Sequence, residues 1–188
     1  MLRADARANH DRLLAVAADA FAREGTDASL KAIAREAGVG IGTLYRRFPT
    51  REALIEAVYR NEVERLCAAA PELLATAPPA VALTAWMERF VDFMAAKRGM
   101  GEALRAVLLS ADDRSQTRAQ LRGALATLLE AGEAEGVVRA GVDPYDVLLG
   151  LGGITLIAGA ERERELASRL IDLLLHGINS DGINSASE

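Results

Sequence analysis

The sequence predicts an all-α protein, with an N-terminal three-helix head followed by a C-terminal helical bundle. Composition is the first reason. The 188 residues include 37 Ala and 26 Leu against 11 Val and 8 Ile, and Ala and Leu lead the helix-propensity ranking while strands favour β-branched residues. The second reason is periodicity, because apolar residues in the head recur at i, i+3, i+4 and i+7, one stripe of an amphipathic helix. A makeup of 51% apolar and 26% charged residues excludes a disordered chain.

A first helix is expected over roughly 7–23, with Leu14, Ala17, Ala18 and Phe21 on one stripe. Gly25 stands where a left-handed C-terminal cap is wanted. Ser29 is a suitable N-cap for a short helix over 30–37, whose Leu30, Ile33, Ala34 and Ala37 repeat the spacing. Gly38-Val39-Gly40 forms a turn. A third short helix follows over 41–48 with Ile41, Leu44 and Phe48 inward, and Pro49 ends it. Thr50 then caps a longer helix over 51–70.

Pro71, Pro78 and Pro79 mark the end of the head. Beyond them helices are expected near 80–98, 102–110, 113–135, 143–159 and 162–177. Gly136 and Gly141 serve as stops, and Asp143-Pro144 as a start with proline in the first turn. The expected division is a head at 1–50 continuing into a connecting helix at 51–70, a ligand-binding and dimerisation domain at 71–178, and a frayed tail at 179–188.

Net charge is −5, yet residues 1–65 carry 11 Lys/Arg against 10 Asp/Glu, so the acidic excess lies in the remainder. Two short helices joined by a three-residue turn make a helix-turn-helix. Ala34 is small where the helices cross, Gly38 permits positive φ, and Leu44 pins the second helix to the core. Stepping 100° per residue places Gly42, Thr43, Arg46 and Arg47 on the outward arc of that second helix, with Tyr45 on its flank. Small residues for close approach, a hydroxyl and guanidinium groups are what a helix entering a DNA major groove requires. Lys31 and Arg35, one turn apart on the preceding helix, are placed to touch the phosphate backbone. Arg51 opens the next helix, where free N–H groups also favour a phosphate.

The segment from Ser29 to Leu54 closely resembles the DNA-binding head of TetR/AcrR-family transcriptional regulators. The resemblance rests on Gly42-Thr43-Leu44-Tyr45, Phe48 two residues after Arg46, and the capped run Arg51-Glu52-Ala53-Leu54; it covers roughly 10–65. It implies a homodimer that binds a palindromic operator in double-stranded DNA, usually as a repressor released by a small molecule. By position it implies that Thr43 and Tyr45 contact DNA backbone or bases and that Arg46 and Arg47 lie near phosphates. It further implies Ser29 as cap and phosphate donor and Arg51 as phosphate anchor. Three positions depart from the family pattern. Gly40 and Ile41 stand where many members carry Ser and Lys, so Ile41 either packs inward or touches a thymine methyl. Thr26 replaces a frequent aromatic.

In the body, Trp86, Phe90 and Phe93 share a helix face flanked by Met87 and Met94, and the next helix offers Met100, Leu104 and Leu108. These residues line a cavity for an unidentified apolar effector or simply form core, since adaptable Met and aromatic walls suit both. The run from Val147 to Ile154 is apolar nearly all round and Leu166, Leu170, Leu173 and Leu174 stripe the last helix, so both need covering. Leu149, Ile154, Leu170 and Leu174 are the expected dimer contacts.

An enzyme is excluded by what the chain lacks. His10 and His176 fit no metal or catalytic spacing, and Gly38, Gly40 and Gly42 do not make a dinucleotide loop. Cys67 is the one cysteine and no Cys/His spacing fits a zinc site, so neither a disulfide nor a zinc site is expected, and no cofactor. Met1 to Arg12 lack the apolar core of a secretory signal, and the longest apolar run, 14 residues with four glycines, is too short to span a bilayer. A cytoplasmic protein without a membrane partner is expected. The competing expectation is a helical-bundle carrier of small molecules without DNA activity, which has no use for Thr43, Tyr45, Arg46 and Arg47 together.

Overall fold

The computed structural model describes residues 2–107, 111–157 and 164–179, with side chains described at 8–101, 104, 114–157 and 164–179. Among them the chain forms eight α-helices: α1 (Leu2–Glu24), α2 (Leu30–Glu36), α3 (Ile41–Arg47), α4 (Arg51–Leu74), α5 (Pro79–Val107), α6 (Ala111–Ala134), α7 (Pro144–Ile157) and α8 (Arg164–Ile178). A single 3-10 turn, Gly25–Asp27, links α1 to α2. The expected all-α class is what the chain adopts.

Two compact units emerge. The first comprises 1–62 together with 95–114, and the second 63–94 with 115–188. The α4 and α5 helices therefore each contribute to both.

In the first unit, the predicted stripes go inside. Leu14, Ala17, Ala18 and Phe21 of α1, Leu30, Ile33 and Ala34 of α2, and Ala37 after it are buried, as are Leu44 and Phe48. Gly25 and Gly38 have φ of 68° and 70°, the left-handed conformation that a Cβ disfavours. At Gly38 the reason is visible in the hydrogen bonds closing α2: Gly38 N donates to Arg35 O at 3.1 Å and Val39 N to Ala34 O at 2.9 Å. This paired closure is a Schellman motif, which needs its positive φ at the glycine. Met100 and Leu104 of α5 are also buried in this unit. Gly99 lies so close to α1 that a Cβ there would collide with the Phe21 carbonyl oxygen, a backbone atom that cannot swing away.

Three boundaries differ from the expectation. The α4 helix runs through Pro71 to Leu74 instead of stopping near residue 70. Pro71 lies three residues before that end and is exposed, so it costs one backbone donor in the last turns and the helix continues. The segments expected over 80–98 and 102–110 form one run, α5, as far as the described Val107, with non-helical backbone at Gly101, φ 26° and ψ −108°; 108–110 lie outside the described residues. The α8 helix, described from Arg164 onward, ends at Ile178, one residue past the expected end, where Arg139 N donates to Ile178 O at 2.9 Å.

The second unit is built on Trp86, Met87, Phe90 and Phe93, all buried, while Met94 is half-buried. Trp86 and Phe90 stack at 5.9 Å between centroids and Phe90 meets Phe93 at 6.2 Å. The indole N–H of Trp86 donates to the Leu66 carbonyl at 2.8 Å, so its polar atom is satisfied. Leu108 and the tail at 180–188 lie outside the described residues. No described helix is long and apolar enough to cross a membrane.

Candidate nucleic-acid interface

The α2–α3 corner is held from three sides. Ser29, extended at φ −72° and ψ 114°, accepts from the Ala32 N–H and caps α2 as predicted. From α1, the Arg12 Nε donates to the Ala37 carbonyl at 2.9 Å while its Nη2 reaches Asn9 Oδ1 at 2.9 Å. From α4, one guanidinium nitrogen of Arg51 donates to the carbonyls of Thr26 at 2.6 Å and Ala28 at 2.7 Å. A charged donor satisfying two carbonyls ranks among the stronger hydrogen bonds, so the link before α2 is fixed. Thr50 caps α4, its Oγ1 accepting from the Ala53 N–H at 3.1 Å.

With the corner fixed, α3 presents one face to solvent. Leu44 and Phe48 point inward, whereas Gly42, Thr43, Arg46 and Arg47 are exposed. Tyr45 is 49% and Ile41 39% exposed. This corrects the inward placement of Ile41. Ile41 is the first residue of α3, following extended Gly40, so no preceding turn of the helix lies over it. Lys31 and Arg35 of α2 are exposed as well.

Two open concavities flank α3. One, of about 430 Å³, is lined by Asn9, Leu13, Val39, Thr43, Arg46 and Arg47; the other, of about 590 Å³, by Ser29, Lys31, Ala32, Ala34, Arg35, Val39 and Ile41. Cations and hydroxyls rim both, and short apolar side chains floor them. The sites expected from sequence at Ser29, Lys31, Arg35, Gly40, Ile41, Gly42, Thr43, Arg46 and Arg47 thus lie on or beside one short helix. Arg51 differs from these, since its Nη1 is committed to the carbonyls of Thr26 and Ala28.

Sequence reasoning placed α1 but missed its part in bracing the corner. Asn9 and Arg12 support the turn, and His10 stacks on Phe48 at 6.0 Å with its Nδ1 buried and lacking a hydrogen-bond partner. The Asn9/Arg12 spacing of one helical turn was the only available signal. Cys67 on α4 is half-buried, and burial, then the neighbouring Glu64 charge, pushes its thiol above the ordinary range. A protonated thiol is a poor nucleophile. No group of three or more potential metal ligands occurs among the described residues.

A short exposed helix bearing Thr43, Tyr45, Arg46 and Arg47, braced by α1, α2 and α4, defines a helix-turn-helix DNA-binding protein. The comparisons are more specific. The family model for tetR-family bacterial regulatory proteins matches residues 13–58, and that for the C-terminal domain of SbtR-like transcriptional regulators matches residues 78–180. A TetR transcriptional regulator of Streptomyces coelicolor is 51% identical over 90% of this chain and 97% of its own, with a TM-score of 0.84. A TetR transcription regulatory protein of Mycobacterium vanbaalenii is 36% identical over 95% and 99%, with a TM-score of 0.78. The chain belongs to the TetR family of transcriptional regulators, which are non-enzymatic DNA-binding proteins.

Proposed function

We propose that this chain is a cytoplasmic repressor that binds a palindromic operator as a homodimer and leaves it when a small apolar effector binds. The observation that carries this reading is the open face of α3, where Thr43, Tyr45, Arg46 and Arg47 stand in solvent around a glycine. In the complex α3 enters the major groove with Thr43 and Tyr45 on backbone or base edges and Arg46 and Arg47 on phosphates. Ser29, Lys31 and Arg35 meet the flanking backbone. Two such helices about 34 Å apart read two half-sites one DNA turn apart.

The second copy docks on α7 and α8. Leu149 is exposed there, and Ile154, Leu170 and Leu174 are half-buried. Leu174 lies against Gly150, 3.7 Å from where a Cβ would stand, so it also holds α7 to α8 within one copy. The effector binds among Trp86, Met87, Phe90 and Phe93, an aromatic and thioether cluster suited to an apolar, uncharged molecule.

Selection of bound sequences from a random duplex pool, followed by titration at two salt concentrations, tests the reading. Recovery of an inverted repeat, with log K falling by roughly 0.9 per contacted phosphate for each tenfold rise in salt, is the expected result. No enrichment at low salt, or a flat salt response, overturns it.

A further inference from the structure

We infer that Ile41 reads the C5 methyl of a thymine in each operator half-site, and so sets part of the sequence preference. The inference rests on α3 being the helix that enters the groove.

Ile41 is the only residue of 40–42 with a side chain, standing between Gly40 and Gly42. A Cβ at Gly42 would meet nothing within 4 Å, and one at Gly40 only the Thr43 hydroxyl at 3.8 Å. The backbone of 40–42, at the start of α3, is therefore bare to a partner except for one branched apolar group standing out of it. Leaving isoleucine in water forgoes the burial that Leu44 and Phe48 gain on the same short helix. Its apolar surface is instead available to whatever that face meets.

The surroundings select the occupant. Ile41 walls a concavity whose floor is Ala32, Ala34 and Val39 and whose rim carries Lys31 and Arg35. An apolar partner there must arrive inside a polyanion, because cations surround the hollow on α2 and follow it at Arg46 and Arg47 on α3. Among the base edges of the major groove, the thymine methyl is the apolar group. The N-terminal residues of a recognition helix are also those that contact base edges. A cation at position 41 would accept guanine; isoleucine has no donor to offer it.

The test replaces each thymine of the selected operator by deoxyuridine, which removes the methyl and keeps the base pair. With unaltered protein, one thymine position per half-site should lose ~4-fold in affinity, and ~16-fold when both half-sites are changed, the size expected for one buried methyl. Ile41→Ala, which alters both half-sites at once, should lose the ~16-fold of the doubly substituted operator on the thymine operator and be indifferent to uracil at that position alone. The uracil arm needs no variant, so misfolding cannot mimic it. If unaltered protein binds every uracil-substituted operator as well as the parent, the thymine reading fails while operator binding stands. Equal uracil sensitivity in Ile41→Ala and the unaltered protein also overturns it, since the methyl is then read by another residue. Absence of binding to any duplex sinks both this inference and the proposed function.

Discussion

The α3 and α7 helices both leave large apolar side chains in solvent, but in opposite chemical settings. On α3, Ile41 and Tyr45 stand among Gly42, Thr43, Arg46 and Arg47. On α7, Leu149, Leu156 and Ile157 are exposed, Leu156 to 82%, in a stretch without one charged residue from Val147 to Ile157, and α8 adds exposed Leu173. An apolar group framed by cations suits a polyanion that carries methyl groups. An apolar group framed by more apolar groups suits a surface of its own kind, and a second copy of the chain supplies one. Exposure alone identifies neither; the neighbouring charge does.

The largest effect that would break this contrast is expected on α7 and α8. Leu149→Glu combined with Leu173→Glu places two charges where the second copy should dock, without burying either inside one protomer. Sedimentation should show a single-copy species with unchanged helicity, and operator affinity should fall by ~100-fold or more, because the second half-site no longer binds intramolecularly. A dimer that survives both substitutions would move the interface elsewhere.

Next in size are the cations of α3. Arg46→Ala or Arg47→Ala should each weaken binding to specific and random duplex alike, by ~10-fold, and lower the slope of log K against log salt by about 1.8, one phosphate contact being lost in each half-site. Arg164→Ala provides the counterpart in the second unit. That guanidinium pairs with Asp92 at 2.7 Å on an exposed surface, where such pairs contribute little to stability. Its removal should leave operator affinity and salt slope unchanged. If Arg164 and Arg46 behave alike, DNA is held by diffuse charge and not by α3.

The contrast also explains which parts of the molecule were legible beforehand. The α2–α3 corner has few solutions, because Gly38 must adopt positive φ, Ala34 must be small and Leu44 must face the core; spacing alone therefore reveals it. Thr43, Arg46 and Arg47 follow by helical stepping once Leu44 is placed. Stepping failed at Ile41, since the first residue of a helix has the periodicity of the stripe but no preceding turn to pack against. It could not foresee that Arg51 would satisfy the carbonyls of Thr26 and Ala28, because side chain-to-backbone bonds across 23 and 25 residues leave no pattern in sequence. In the body the ambiguity is chemical. Trp86 and Phe90 bury equally well as core or as cavity wall, and the leucine stripe on α8 that meets Gly150 within one chain is also the one proposed to face a second copy.

The smallest effects, at two glycines, discriminate most finely. Neither Gly42 on α3 nor Gly153 on α7 would bring an added Cβ within 4 Å of another group. Alanine exceeds glycine in helix propensity by up to ~1 kcal/mol, so Gly42→Ala and Gly153→Ala should each raise the thermal midpoint of the isolated protein slightly. A backbone that approaches a partner closely has no room for the methyl, and there the sign reverses. For Gly42→Ala the reversal should appear as a few-fold loss of operator affinity with dimerisation untouched. For Gly153→Ala it should appear as weaker dimerisation, with operator affinity following only through the dimer. A Gly42→Ala protein that is more stable and binds the operator as well as its parent would mean that the α3 backbone stays clear of the DNA. Only the longer side chains, Ile41, Tyr45, Arg46 and Arg47, would then reach it.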